Sequence, residues 1–167
     1  MRAIIDDADD DKVYLVMEEA AFGQIMNYEQ DTGKFTPSRS GPIMLSEGEI
    51  RQYSKQLVSA IQYIQSKKII HCDLKPQNVL LSTGNQIKLA DFGSAQMFYG
   101  EEDTLLNHRG TYEFFAPECF KPKGTTASQY YSGRAADVWA LGMTLYAMTF
   151  NELPFKVGLG IDTHIAI

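Results

Sequence analysis

The chain has 167 residues, 44% hydrophobic and 22% charged, which fits one globular domain or part of a larger one and excludes disordered or collagen-like chains. Fifteen Lys and Arg against 21 Asp and Glu leave a formal charge of −6, which excludes non-specific nucleic-acid binding as the main task, since that needs a basic face. Cys72 and Cys119 are too few for a disulfide scaffold and point to a reducing compartment; with no run of 18 apolar residues and no signal-like opening, the expectation is a soluble cytoplasmic protein without membrane or nucleic-acid partners.

The opening is acidic, with Asp6, Asp7, Asp9, Asp10 and Asp11, and reads as a solvated loop because it lacks the alternating ligands of a calcium loop. Val13-Tyr14-Leu15-Val16-Met17 then predicts a buried strand. Residues 29–45, with Gly33, Pro37, Gly41 and Pro42, read as a loop. Ser46 followed by Glu49 is a capping box, and Ile50, Tyr53, Leu57, Ile61 and Ile64 mark one apolar helix face. Val79-Leu80-Leu81 and Ile87-Lys88-Leu89 flank Ser82-Thr83-Gly84-Asn85 and predict a β-hairpin. Residues 94–135 read as irregular. Val138 to Phe150 is apolar almost all round, which predicts a central buried helix ended by Pro154. The order is one strand, then mainly helix, with one short hairpin.

The chemistry concentrates in His71-Cys72-Asp73-Leu74-Lys75-Pro76-Gln77-Asn78. Asp91-Phe92-Gly93 follows, then Ala116-Pro117-Glu118, then Asp137-Val138-Trp139-Ala140-Leu141-Gly142. The first run resembles the catalytic loop of eukaryotic protein kinases. Its six fixed residues would match by chance at about 10⁻⁸ per position at ordinary residue usage. The other three resemble the family's metal-binding triplet, the end of its activation segment and the start of its central helix, in the family's order. The resemblance implies an α+β protein-kinase-like fold: a mostly helical large lobe, a hinge strand and a short β-hairpin, with the small lobe largely missing. Residues 1–20 would be the last small-lobe strand and the hinge, and residues 21–167 a truncated large lobe.

Phosphoryl transfer needs positioning and charge neutralisation more than covalent help. The resemblance assigns Asp73 as the base that accepts or orients the substrate hydroxyl proton, and Lys75 as the cation for the migrating phosphoryl group. Asn78 and Asp91 would hold Mg²⁺, which takes few protein oxygens beside phosphates and water. Thr111 would brace Asp73 and Lys75. Met17 would guard the back of the adenine pocket. The carbonyl of Glu18 and the N–H of Ala20 would face the adenine edge, with Gln24 near the ribose and Leu80 on the floor. Asp91 also counts among the ATP-binding residues. His71 and Phe92 are structural on this reading. Asp-Leu-Lys-Pro resembles the serine/threonine type, so ATP, Mg²⁺ and protein Ser/Thr substrates are implied. The run from Asp137 to Tyr146, ending in Leu153-Pro154-Phe155, looks like the calcium/calmodulin-dependent protein kinase kinases. Calmodulin is a possible partner of the parent protein, but its binding segment in those enzymes lies beyond these residues.

Three departures shape the expectations. Cys72 stands where the family commonly has Arg, and Asn107 where it has a phosphoacceptor, so the standard phospho-switch is not expected. No Gly-x-Gly-x-x-Gly precedes the hinge; the one Gly-x-Gly, at Gly158 and Gly160, comes after it, so residues 1–167 alone are expected to transfer little phosphate. The chain stops soon after Phe155, which would leave the apolar surface around Trp139 exposed. The alternative to a kinase fragment is a non-catalytic large-lobe interaction module. A small-molecule phosphotransferase is disfavoured by Ala116-Pro117-Glu118.

Overall fold

The structure is a computed structural model that describes residues 2–6, 12–39, 43–106, 109–120 and 130–155. Two short strands, β1 (Ala3–Asp6) and β2 (Val13–Val16), pair antiparallel with Ala3 opposite Val16. The strand expected from Val13 to Met17 therefore forms, but it is not buried: Leu15 is 56% exposed and Met17 64%. β-branched and aromatic residues favour the extended backbone, whereas burial needs a second layer, and no described element closes over this ribbon. Asp6 ends β1, and the acidic run from Asp7 to Asp11 lies outside the described residues.

The stretch expected to be a loop contains a second hairpin, β3 (Met26–Glu29) and β4 (Lys34–Pro37), with Tyr28 opposite Phe35. Gly33 sits in its turn at φ +68°, a conformation that glycine adopts without penalty, and Pro37 only ends the second strand. Met26 and Phe35 are buried, and the Phe35 N–H donates to the Asn151 carbonyl at 2.8 Å, tying the hairpin to the end of the helix Gly133–Phe150.

Helix α1 (Glu47–Ser66) starts as its sequence dictates. The Ser46 N–H donates to the Glu49 carboxylate at 2.9 Å, and the Glu49 N–H donates back to Ser46 Oγ at 3.3 Å. The Ser46 hydroxyl, which donates to the Glu49 carboxylate at 2.7 Å, and then the Ser46 N–H hold that carboxyl below its ordinary pKa. Tyr53, Leu57, Ile61 and Ile64 are buried. Strand β5 (Ile69–Ile70) leads into the catalytic-loop motif and a 3₁₀ turn at Pro76–Asn78. The predicted hairpin follows as β6 (Val79–Ser82) and β7 (Gln86–Leu89), with Val79 opposite Leu89.

The region read as irregular holds only short pieces. Strand β8 (Gln96–Met97) pairs with β5, and β9 (Thr104–Leu105) pairs with β10 (Tyr131–Ser132). Helix α2 (Gly133–Phe150) begins five residues before the apolar run, because Ser132 caps it by accepting the Ala135 N–H at 3.2 Å. It ends at Asn151 in the left-handed conformation (φ +59°), three residues before Pro154. The expectation of all-round burial is corrected. Ala140, Met143, Thr144, Ala147 and Met148 are buried against α1 and the β6–β7 hairpin, whereas Val138 and Phe150 are exposed. The Trp139 ring is half-buried and stacks on Phe155 at 6.0 Å.

Candidate active site

Asp73 is brought under restraint from several directions. Helix α2 supplies Asp137, buried in its second turn, whose carboxylate accepts the His71 N–H at 2.7 Å and the Cys72 N–H at 3.0 Å. Burial pushes the Asp137 carboxyl above the ordinary carboxylate pKa, opposed by those two hydrogen bonds. Cys72 takes the left-handed conformation (φ +66°), a sparsely populated region for a side-chain-bearing residue. Two backbone hydrogen bonds to one carboxylate hold that turn in place. The His71 ring, fully buried, lies 3.0 Å from the Ala90 carbonyl through Nε2 and accepts the Asp73 N–H at Nδ1, 3.3 Å away. A single proton on Nε2 satisfies both contacts, which suits the structural role assigned to this residue.

The Asp73 carboxylate meets three partners. Thr111 donates to Oδ1 at 2.7 Å, Lys75 Nζ lies 2.9 Å from Oδ2, and Asn78 Nδ2 donates to Oδ2 at 3.0 Å. Lys75 also donates to Thr111 Oγ1 at 2.6 Å, which closes an acid–hydroxyl–ammonium triangle. Gly110 makes this approach possible: a Cβ there would lie 2.2 Å from the Cys72 carbonyl oxygen and 3.0 Å from Asp73 Oδ1. The backbone at Gly110, φ +103°, also excludes most side chains.

Asn78 and Asp91 flank the same end of the β6–β7 hairpin, and the Ala90 N–H donates to the Asn78 carbonyl at 2.9 Å. With Asn78 Nδ2 spent on Asp73, its Oδ1 remains as an oxygen donor. Asp91 is exposed and left-handed, with Oδ1 accepting the Gly93 N–H at 3.2 Å and no described protein donor on Oδ2. An amide oxygen and a carboxylate oxygen at one hairpin end fit the hard-oxygen preference of Mg²⁺. The Phe92 ring stands 4.9 Å from the His71 ring and remains 44% exposed.

Of the predicted nucleotide-binding residues, Leu80 is on β6 and Gln24 lies in the segment that pairs with β6 on the edge away from β7. The segment after β2 docks along β6: the Phe22 N–H donates to the Leu81 carbonyl at 3.0 Å, the Ile25 N–H to the Val79 carbonyl at 2.7 Å, and Gln24 bridges Leu80. Leu80 is half-buried. The Ala20 carbonyl accepts the Gly23 N–H at 3.0 Å in a turn, and the Gln24 side chain donates to Asn27 at 2.7 Å. The Glu18 side chain pairs with Lys88 at 2.9 Å, which holds its carboxyl below the usual range. Met17 is exposed at the end of the ribbon and touches none of the catalytic-loop groups by any described hydrogen bond.

Sequence reasoning gave no separate role to Asp103, Gly110 or Asp137. Asp137 and Gly110 lie within quoted motifs, but their partners are far along the chain. Asp103 is an acid among acids. Its carboxylate accepts hydrogen bonds from Ser132 Oγ (2.5 Å), the Arg134 N–H (2.9 Å) and Arg134 Nε (3.1 Å).

This arrangement, in this chain order, is that of a protein kinase, and the chain belongs to that family: the protein kinase domain matches residues 3–165. It is similar to serine/threonine-protein kinase GRIK2 of Arabidopsis thaliana, 36% identical over 162 residues, covering 96% of this chain and 36% of that protein. It is also similar to a calcium/calmodulin-dependent protein kinase kinase of Caenorhabditis elegans, 36% identical over 161 residues, covering 96% of this chain and 27% of that protein. Serine/threonine-protein kinase TOS3 of Saccharomyces cerevisiae is 33% identical over 168 residues, covering 95% of this chain and 29% of that protein. The chain thus spans about a third of the length of such relatives. Among the described residues no helix is long and apolar enough to cross a membrane.

Proposed function

We propose that these residues are the hinge and large lobe of a serine/threonine protein kinase, with residues 1–20 as the last small-lobe strand and hinge and 21–167 as large lobe. The reaction would move the γ-phosphoryl group of ATP to a protein Ser or Thr hydroxyl. The hydroxyl oxygen forms the new bond to phosphorus, the bond from phosphorus to the bridging oxygen breaks, ADP leaves, and the hydroxyl proton passes to Asp73. Thr111 and Lys75 hold the carboxylate, and the Lys75 ammonium offsets charge on the transferred group. Asn78 and Asp91 would hold Mg²⁺, which when bound neutralises phosphate charge. The hinge backbone at Glu18 and Ala20, with Met17, Gln24 and Leu80, would receive the nucleoside. Such an enzyme belongs in cytoplasmic signalling, and calmodulin control, which the name of the C. elegans relative brings to mind, is assigned to none of these residues.

The observation that carries this reading is the triangle of Asp73, Lys75 and Thr111, in which residues 36 and 38 positions apart in sequence meet on one carboxylate. A scaffold module would have no use for a lysine held at the base. The test is Mg-ATP-dependent phosphate transfer to Ser, Thr and Tyr peptides by the whole protein that carries these residues, isolated from its source, since residues 1–167 alone are expected to transfer little. Transfer to Ser and Thr is expected, with Asp73→Asn lowering kcat by about 10²- to 10⁴-fold and leaving the KM for ATP within about twofold. Absence of transfer, or an Asp73→Asn variant as active as the parent, would refute the kinase reading.

A further inference from the structure

In kinases whose catalytic loop carries Arg before the Asp, a phosphate on the activation segment gives that Arg its partner and orders the segment. Here position 72 is Cys, and burial together with the Asp137 carboxylate pushes its thiol up to about 12, so it remains a neutral thiol that cannot receive an anion. Even so, the segment from Phe98 to Leu105 is tied down at several points. The Phe98 N–H donates to the Lys68 carbonyl at 3.0 Å, and its buried ring lies under Lys68 Nζ and the Arg134 guanidinium, each 5.3 Å from the centroid. Glu101 pairs with Lys68 at 3.1 Å, and its carbonyl accepts Arg134 at 3.2 Å.

The tightest of these ties is at Asp103. Its side chain is buried, its carboxylate takes the three donors from Ser132 and Arg134, and its carbonyl accepts the Gly133 N–H at 2.9 Å. Burial alone would raise this carboxyl; the hydrogen bonds from Ser132 and Arg134 outweigh it and hold the group below its ordinary pKa. Leu105 then packs against Gly133, where a Cβ would sit 2.9 Å from the Leu105 Cδ1 and 2.4 Å from the Ile70 Cδ1. The same helix start therefore grips both parts of the site. Its first turn holds Asp103, and one turn later Asp137 holds the backbone of His71 and Cys72, on which Gly110 rests.

We propose that Asp103 is a positioning residue: an acid fixed in the sequence that fastens the activation segment to the start of α2, so that Thr111 meets Asp73 and Lys75. The role rests on the kinase reading given above. It differs from the phosphate arrangement in where it acts, since the anion is held by Ser132, the cap of α2, and by Arg134 in its first turn, and not by the catalytic loop.

The test compares the parent protein with Asp103→Asn, which keeps size and removes charge, and with Asp103→Glu. Amide hydrogen exchange over residues 98–105 is read beside peptide-phosphorylation kinetics. In Asp103→Asn, exchange of that segment is expected to rise about tenfold, with exchange of the β6–β7 hairpin unchanged. Its kcat should fall about tenfold with the KM for ATP within about twofold, and Asp103→Glu should recover part of both losses. Unchanged exchange in Asp103→Asn would overturn the anchor, whatever the activity. Faster exchange with unchanged kcat would overturn the positioning role. A parent protein that transfers no phosphate would instead refute the kinase reading, and the exchange result alone would then decide the anchor.

Discussion

The catalytic loop and the β1–β2 ribbon differ in opposite senses in composition and burial. The loop from His71 to Asn78 is rich in polar and charged groups, yet His71, Asp73 and Asn78 are buried. The ribbon is rich in Ile, Val, Leu and Tyr, yet every residue of both strands is exposed. What separates them is the supply of partners. His71, Asp73, Lys75 and Asn78 each have specific donors or acceptors, within the loop or from Thr111, Ala90 and Asp137, so their desolvation is compensated. The ribbon is paired through its backbone ladder, and its apolar side chains are left exposed. In these two regions, burial follows hydrogen-bonded closure more closely than it follows apolar content.

The comparison can be broken at the shared acceptor. Asp137→Ala leaves the buried His71 and Cys72 N–H groups without their carboxylate. A loss of about 4 kcal/mol in unfolding free energy is expected, measured by chemical denaturation. Because burial raises the folded-state pKa of Asp137, the folded state holds that proton more tightly than the unfolded chain. The contribution is full below the ordinary carboxylate pKa and declines as pH rises through the folded value, so the gap between parent and variant should narrow over that window. Next in size is Gly110→Ala, which drives a methyl group into the Cys72 carbonyl and displaces Thr111. We expect kcat to fall about a hundredfold and the melting temperature to fall as well, read by steady-state kinetics and calorimetry. The smallest effect is expected in the ribbon, where Leu15→Thr should change stability by less than about 0.5 kcal/mol, within the usual range for exposed positions. A larger loss there would mean that the ribbon is covered in solution.

The same contrast explains what the sequence made legible. The proposed catalytic set at Asp73, Lys75, Asn78, Asp91 and Thr111 could be read because the chemistry proposed for it demands those residue types in short motifs of fixed order. The structure brings the first three and Thr111 onto one carboxylate, with Asp91 at the neighbouring hairpin end. Helix α1 was legible because its cap and apolar face are local signals. The β3–β4 hairpin was hidden by Gly33 and Pro37, which punctuate a loop and a tight turn equally well. Burial of β2 was misjudged because an apolar run reports what a strand could bury and not whether a layer lies over it. The clasp at Asp103 was illegible for a different reason: its donors lie 29 and 31 residues later, and nothing local distinguishes Asp103 from Glu101 and Glu102.

The Asp137 grip also sets an order of events while the chain is made. The carboxylate that fixes His71 lies 66 residues after it, so the loop emerges from the ribosome long before its acceptor does. At ordinary elongation rates that interval is roughly 3 to 13 seconds. Over that interval α1 and the β6–β7 hairpin, whose contacts are nearer in sequence, have time to form. The left-handed turn at Cys72 waits for α2, so among the described elements the loop from His71 to Asn78 takes its final shape after α1 and the β6–β7 hairpin.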